Sequence, residues 1–271
     1  MPMKRRLHLG CLALIASAFT ASAAVAAPKK ILVVTITMGF RHGSIETAEK
    51  AIAELGKSSG LYAVELAAVT PTEGPGYGEK IKAVLAEKAK PAALGKYDAI
   101  VFANTTGDLP LPDKAALIQW VKDGGAFIGV HSASDTLHGY PPYFEMLGGE
   151  FDYHREQVVI EGINKDAAHP ANRHLGETWN LQGRKEEIYV FKNYQRNSVH
   201  ELIVLNRHPN SGEPGNFPIS WCRSFGNGRV FYTALGHNDD VWQTHEFQKH
   251  ILGGIEWALR LNEGSAMPPS K

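Results

Sequence analysis

Short apolar runs divide the first half of the chain at regular intervals. They occupy residues 30–35, 61–69, 97–103 and 126–130. The last run has no polar alternation, which is typical of a central parallel strand covered on both faces. Between the runs, apolar residues recur at spacings of three and four, the period of one helix face. This pattern predicts helices around residues 45–55, 81–85 and 116–121.

The alternation of strands and helices predicts an α/β fold, because parallel neighbours in a sheet are joined by crossover helices. We expect a three-layer αβα sandwich around a mainly parallel, flavodoxin-like sheet. After residue 135 the alternation stops. Strands are predicted at 157–160, 188–191, 201–205, 218–223 and 229–235, a short helix at 141–147 and a closing helix at 247–259. The first four of these strands would form a loop-rich β insertion.

The two ends of the chain differ in composition from the segment between them. Lys4, Arg5 and Arg6 precede an apolar, alanine-rich stretch at 9–25, so residues 1–26 are predicted to be a cleaved signal peptide. The alternative is an uncleaved membrane anchor. We expect a periplasmic or secreted protein with no stable membrane insertion after cleavage. Residues 27–263 would form one domain, and residues 264–271 a disordered tail.

Charge and cysteine content narrow the classes of function. The full chain has 28 basic and 28 acidic residues. Without residues 1–26, 25 basic residues stand against 28 acidic ones, a formal charge of −3, which argues against nucleic acid as a partner.

Cys222 would then be the single cysteine, so no internal disulfide can form. No G-x-G-x-x-G phosphate loop is present, and we expect no nucleotide cofactor. The sequence fixes no oligomeric state.

The residue at the end of the 126–130 run is the main chemical signal. Residues 129–133 (GVHSA) have the small residues of a strand-to-helix elbow, where hydrolases place a nucleophile. Here His131 occupies that place. Ser132 and Ser134 are off the central position, and Cys222 is predicted to lie inside a core strand. Acyl transfer through a thiolate is therefore disfavoured.

Several short motifs, taken in order, resemble the ThuA-like (trehalose utilisation) family over residues 30–260. They are residues 40–42 (FRH), 104–107 (NTTG), 125–135 (GAFIGVHSASD), 147–149 (LGG) with His154, 169–170 (HP), 186–189 (EEIY), 221–223 (WCR) and 228–237 (GRVFYTALGH). The resemblance implies a class I glutamine amidotransferase-like fold and a link to sugar catabolism. At Glu186 members of the family often have Asp.

Histidines and carboxylates are predicted to converge at one edge of the sheet. Loops that follow parallel strands meet at the carboxyl edge, and four such loops carry candidate residues, while two more candidates come from the insertion. We expect catalytic roles for His42, His131 and Glu187, and substrate contacts from Arg41, Asn104, Asp135, Arg223 and His237. A divalent metal, Zn²⁺ first, would be bound by His42, His131, His154 and Glu187. The same groups could instead act as acid and base without a metal.

The alternatives for single residues are structural. His42 could cap its turn, His131 could be a buried histidine bonded to the backbone, and Arg223 could pair with acids at a strand end.

These residues lead to two hypotheses of function. The first is an exported enzyme that acts on a disaccharide or keto-glycoside by isomerisation, hydrolysis or elimination, without a cysteine nucleophile and not as an amidotransferase. The second is a non-catalytic carbohydrate-binding or sensing module on the same fold. Ionisable residues at the strand ends favour the enzyme.

Overall fold

The computed structural model describes residues 27–71 and 76–268. The predicted signal segment, 1–26, lies outside the described residues. Within them, no helix is long and apolar enough to cross a membrane. The first part of the predicted tail packs on the domain: Trp257 Nε1 donates to the Gly264 carbonyl at 3.0 Å, and the Met267 carbonyl lies 2.6 Å from His200 Nδ1.

Thirteen strands are present in the described part of the chain. They are β1 (Lys29–Val34), β2 (Tyr62–Ala67), β3 (Ala99–Ala103), β4 (Ala126–Val130), β5 (Glu150–Tyr153), β6 (Val158–Val159), β7 (Gly162–Asn164), β8 (Thr178–Trp179), β9 (Lys185–Glu186), β10 (Val190–Lys192), β11 (His200–Arg207), β12 (Pro214–Phe225) and β13 (Gly228–Thr233). The predicted Asn-Gly hairpin turn joins the last two.

Within residues 27–71 and 76–268, seven α-helices connect or flank these strands. They are α1 (Ile45–Ser59), α2 (Tyr77–Lys88), α3 (Pro91–Leu94), α4 (Lys114–Lys122), α5 (Pro141–Leu147), α6 (Asp239–Trp242) and α7 (His245–Ala258). Side-chain caps start two of them, since Asp113 accepts from the Ala116 N–H and Thr244 from the Phe247 N–H. Ser44 lies at the N-cap position of α1 but makes no capping bond.

Nine strands form one sheet in the order β2-β1-β3-β4-β13-β12-β11-β7-β8. The pairings from β2 to β13 are parallel, and those from β13 to β8 are antiparallel. The predicted mixed α/β fold is confirmed, with a parallel half and an antiparallel extension. The extension arises because the chain leaves the parallel half after β4, adds β7, β8, β11 and β12, and returns as β13 beside β4. The strands β5 with β10, and β6 with β9, form two separate two-stranded sheets.

Alternating side chains of the strands supply two apolar layers. In β1, Ile31 and Val33 join a core with α1 and α7, whereas Leu32 and Val34 join a second core with α2, α4 and α5. Helices therefore cover both faces of the parallel half, which explains the continuous apolar runs of its strands.

The parallel strands end level with one another. The register pairs Ala103 with Val130 and Thr233 with Val130. The next residues, Asn104 and His131, have φ of 54° and 51°, a left-handed conformation that costs a non-glycine residue about 1–3 kcal/mol. The predicted elbow is thus present, and a 3₁₀ turn, His131–Asp135, follows it.

Candidate functional site

Four side chains meet at the carboxyl edge of the parallel strands. His42 follows β1, His131 follows β4, Glu187 follows β9 and His237 follows β13. One nitrogen or oxygen atom from each lies within 4.8 Å of the others. We refer to these four residues as the donor cluster.

The Nε2 atom of His131 is the centre of the donor cluster. It lies 3.1 Å from His42 Nε2, 3.2 Å from His237 Nδ1 and 3.1 Å from the Tyr189 hydroxyl. Glu187 Oε2 is 3.6 Å away. An imidazole nitrogen carries either one hydrogen or one lone pair, so ordinary hydrogen bonds do not account for all of these approaches.

The outer nitrogens of two of these rings have partners of their own. His131 Nδ1 lies 2.7 Å from the Ala234 carbonyl, to which it donates. This fixes the tautomer that leaves the lone pair of Nε2 facing the cluster. His42 Nδ1 lies 3.3 Å from the Ser132 hydroxyl. Such outer contacts are what metal-binding histidines use to hold their orientation.

Burial keeps the two inner imidazoles neutral. It lowers the pKa of His42 to about 3, with a further contribution from the neighbouring histidines. Burial also lowers the pKa of His131, although Glu187 opposes the shift. The pKa of His237 is raised, because its hydrogen bond to Glu187 outweighs the burial of the ring. Neutral rings with free lone pairs are the form that binds metals.

The carboxylate of Glu187 links the donor cluster to His154, which lies on the solvent side. Its Oε2 lies 3.2 Å from His237 Nδ1, and its Oε1 lies 3.1 Å from His154 Nδ1. Burial would raise the pKa of this carboxyl group, but the hydrogen bond from His237 and the neighbouring His131 ring hold it well below its usual range. Glu187 therefore stays ionised.

The sequence predicts His154 as a metal ligand and His237 as a substrate contact. The structure places the two residues the other way round with respect to the donor cluster. His237 lies in the donor cluster, whereas His154 contacts the outer oxygen of Glu187 and leaves 42% of its side chain exposed. The reason is geometric, because the two oxygens of one carboxylate face opposite sides.

Glu186 holds the loop that carries His237, a role that the sequence did not indicate. Its fully buried carboxylate accepts the N–H groups of Gly236, His237 and Glu187 at 2.8–3.2 Å. Burial raises its pKa to about 7 in spite of these donors. An acid beside the predicted Glu187 was the only signal available in the sequence.

Asn104 was predicted to contact substrate but lies beneath the site. Its side chain is fully buried and donates from Nδ2 to the Ser44 hydroxyl at 2.9 Å and to the Gly236 carbonyl at 3.0 Å. The Ser44 hydroxyl donates to the same carbonyl, which is why it does not cap α1. These bonds tie the loops of β1, β3 and β13 together.

A cleft of about 210 Å³ opens onto the donor cluster. It is lined by Phe40, His42, Asp135, Phe151, His154, Glu187, Tyr189 and His237. The predicted Asp135 is therefore in the cleft, where its Oδ1 contacts His138 Nε2 at 2.5 Å. The volume is below the roughly 300–1,000 Å³ of pockets for drug-sized ligands, so the cleft suits a small polar ring.

The two predicted arginines lie outside this cleft. Arg223 pairs in register with Val230, which pairs with Phe127 near the amino end of β4. Its guanidinium donates to the Glu145 carbonyl and to the Gln195 side chain, so the structure does not bring it to the site. Arg41 lies on the same loop as His42 but lines a neighbouring pocket.

The thiol of Cys222 is remote from the donor cluster. It is fully buried in β12, where burial raises its pKa well above the usual range. Its Sγ contacts the Ser265 carbonyl at 3.4 Å and His169 Nε2 at 3.6 Å. A protonated, enclosed thiol does not act as a nucleophile.

The sheet and the donor cluster together define an α/β protein with a histidine–carboxylate site at the carboxyl edge of its parallel strands, where this class of fold binds ligands. The chain belongs to the ThuA family, described as trehalose utilisation, whose family model matches residues 30–258. A carbohydrate-related role follows from this membership. No curated protein sequence matches the chain.

Solved structures share the fold. A ThuA-like protein from Parabacteroides merdae has a TM-score of 0.69 and 19% identity, covering 89% of this chain and 93% of its own. A second one, from Bacteroides uniformis, has a TM-score of 0.67 and 20% identity, covering 89% and 95%. A β-galactosidase from Bacillus circulans has a TM-score of 0.51 and 13% identity over 89% of this chain and 32% of its own. At these identities the likeness shows the fold alone.

Proposed function

We propose that this chain is an exported enzyme of carbohydrate catabolism that acts on a disaccharide or keto-glycoside through a metal-assisted histidine–glutamate site. The observation that carries the proposal is the convergence of three imidazole nitrogens and one carboxylate oxygen on a common point. The composition of residues 1–26 supports export to the periplasm or medium.

The spacing of the donor atoms fits a metal ion. A tetrahedral Zn²⁺ with bonds of about 2.0–2.1 Å separates its ligand atoms by about 3.3 Å. In the donor cluster, three separations are 3.1–3.2 Å, His131 Nε2 to Glu187 Oε2 is 3.6 Å, and all four atoms lie within 4.8 Å of one another. His42, His131, His237 and Glu187 would hold the ion, and Zn²⁺ is the first candidate for this donor set.

The chemistry follows from the substrate class. A keto group acidifies the neighbouring C–H, so isomerisation and elimination both begin with removal of that proton. A bound metal ion would stabilise the negative charge that develops on the keto oxygen. No covalent nucleophile is needed, which agrees with a histidine at the elbow and an enclosed Cys222. We therefore do not assign amidotransferase activity to the chain.

Two ionisable groups in the cleft are the candidates for proton transfer. His154 and Asp135 line the cleft but are outside the donor cluster. Both present ionisable atoms on the substrate side, His154 beside Glu187 Oε1 and Asp135 beside His138. We assign them as the acid and base groups, while His42, His131 and Glu187 would act on the substrate through the metal ion that they hold.

Metal analysis of residues 27–271, combined with a screen of ordinary and oxidised disaccharides, tests the proposal. We expect about one divalent ion per chain and turnover of a keto-disaccharide. Both should fall to background in His131→Ala and Glu187→Ala, whereas His245→Ala, at the exposed start of α7, is the matched control.

Turnover that persists in both variants would reject the enzyme as proposed. Sugar binding that survives metal removal, without turnover and without a bell-shaped pH profile, would instead support the carbohydrate-binding module.

A further inference from the structure

The loop of residues 37–41 separates two pockets. Phe40 lines the cleft of the donor cluster, whereas Met38 and Arg41 line a second pocket of about 380 Å³ with Pro71 and Tyr77. We call it the outer pocket. It is larger than the cleft and begins one residue away from it along the chain.

Backbone and side-chain hydrogen bonds hold this loop in place. The Met38 N–H donates to the Thr106 carbonyl at 2.8 Å, and the Gly39 N–H to the Thr106 hydroxyl at 3.3 Å. That hydroxyl donates in turn to the Phe40 carbonyl at 2.7 Å. Gly107 packs against the same loop, since a Cβ there would lie 2.9 Å from the Gly39 nitrogen.

The loop presents apolar side chains to solvent. Met38 is 48% exposed and Phe40 is 68% exposed. A loop whose backbone is already held in place loses little conformational freedom when a ligand binds. Adjacent exposed apolar residues beside a polar cleft are typical of a ligand-binding surface.

Polar groups in the outer pocket complement its apolar surface. Among the described residues, the Arg41 guanidinium has an ion pair only with Glu46, at 3.6 Å, and the Glu46 side chain is 70% exposed, so solvent screens the pair. The hydroxyl of Tyr77 is buried and has no hydrogen-bond partner among the described residues. A sugar ring has apolar C–H faces and a rim of hydroxyls, which match an apolar surface with a few donors.

From this arrangement we infer that the outer pocket binds the second ring of a disaccharide whose first ring lies in the cleft, with Phe40 between the two rings. The inference rests on the proposed function and sharpens it, because it makes the substrate a two-ring sugar rather than a monosaccharide. It also gives Arg41 a substrate contact away from the donor cluster.

Direct binding measurements test the inference without relying on turnover. The probes are trehalose and its mono-keto form, with methyl α-glucoside and its keto form as single-ring counterparts. Calorimetry or ligand-observed NMR should show the two-ring probes binding about tenfold more tightly. Met38→Ala, Arg41→Ala and Tyr77→Phe should each reduce that preference about two- to fivefold and leave single-ring binding unchanged.

Matched controls exist for two of the variants. Met267 is an exposed methionine outside both pockets. Arg184 has a similar ion pair, at 3.7 Å, to the exposed Asp240. Met267→Ala and Arg184→Ala should keep the full two-ring preference.

The outcomes separate this inference from the proposed function. A two-ring preference that is reduced in the outer-pocket variants, in a protein without turnover, supports the outer pocket and rejects only the enzyme. Equal binding of one-ring and two-ring probes by an active enzyme overturns the outer pocket alone. No binding of any of the four probes overturns both.

Discussion

Two groups of buried histidines in this protein differ in how their ring nitrogens are satisfied. In the donor cluster, His42 and His237 both point a nitrogen at His131 Nε2. In the core behind the sheet, His250 contacts the Ala171 carbonyl at 2.9 Å and the Ser220 hydroxyl at 3.1 Å, one partner for each nitrogen. His169 likewise has the Ala171 N–H and Cys222 Sγ.

The comparison shows that burial alone does not mark a functional histidine. Burial lowers the pKa of His42 and of His250 to about 3, and that of His169 to about 4. His42, His169 and His250 are therefore neutral at physiological pH, whichever group they belong to. What distinguishes the donor cluster is the convergence of its nitrogens with a carboxylate, beside a cleft.

The largest effect is expected when one histidine of each group is replaced by alanine. His250→Ala leaves a cavity and an unpaired Ala171 carbonyl, and should cost about 2–4 kcal/mol of unfolding free energy without changing metal content. His237→Ala removes a partly exposed ring and should cost about 1 kcal/mol in the metal-free protein, but abolish metal binding. Denaturant titration and metal analysis check both. Loss of metal in His250→Ala would show that the core histidines also contribute to metal binding, contrary to the distinction between the two groups.

Acid pH should destabilise the protein through the core histidines. Their pKa values in the folded state, about 3 and 4, lie below the unfolded value of about 6.5. Between these values the unfolded chain binds protons that the folded chain does not. Stability is therefore retained above about pH 6.5 and lost as the pH falls, by about 2 kcal/mol per core histidine at pH 5.

The variant His250→Gln isolates one of these protonation sites. Its unfolding free energy should fall less steeply than that of the wild type between pH 7 and pH 5, in urea titrations without metal. Parallel pH profiles for the two proteins would show that His250 does not titrate as the structure implies.

The smallest effect is expected from removing the Ser132 hydroxyl that contacts the outer nitrogen of His42. Ser132→Ala removes the hydroxyl 3.3 Å from His42 Nδ1 and should weaken metal binding about tenfold, the low end for such contacts. Ser134→Ala is the control, because this serine lies in the same turn but its hydroxyl contacts the Tyr232 hydroxyl and the His131 carbonyl rather than an imidazole ring. Competition with a chelator measures both, and an equal loss in the two variants would contradict a specific role for Ser132.

The parallel half of the fold could be predicted because its strands carry their own signal. Residues 126–130 are apolar throughout since helices cover both faces, and the elbow at His131 follows from the small residues around it. The insertion was harder to predict. Its strands β6, β8 and β9 have two residues each, too few for a periodic pattern to appear.

Arg223 shows a second reason why sequence reasoning failed. Its motif marks a strand end, but a sequence pattern does not give strand direction. Since β12 runs antiparallel to β13, its carboxyl end lies at the amino edge of the parallel strands, opposite the donor cluster. The hydroxyl of Tyr189 was missed because its approach to His131 depends on how the 185–190 segment folds back.

The sequence by itself determined the α/β class, the strand-end histidines and the importance of Glu187, because these depend on local pattern and on the rule that parallel strands share one ligand-binding edge. Only the tertiary structure decided that His237 rather than His154 completes the donor cluster, and that Asn104 and Glu186 support it from below. Those choices depend on distances of a few tenths of an ångström between segments far apart in the chain, which no local pattern encodes.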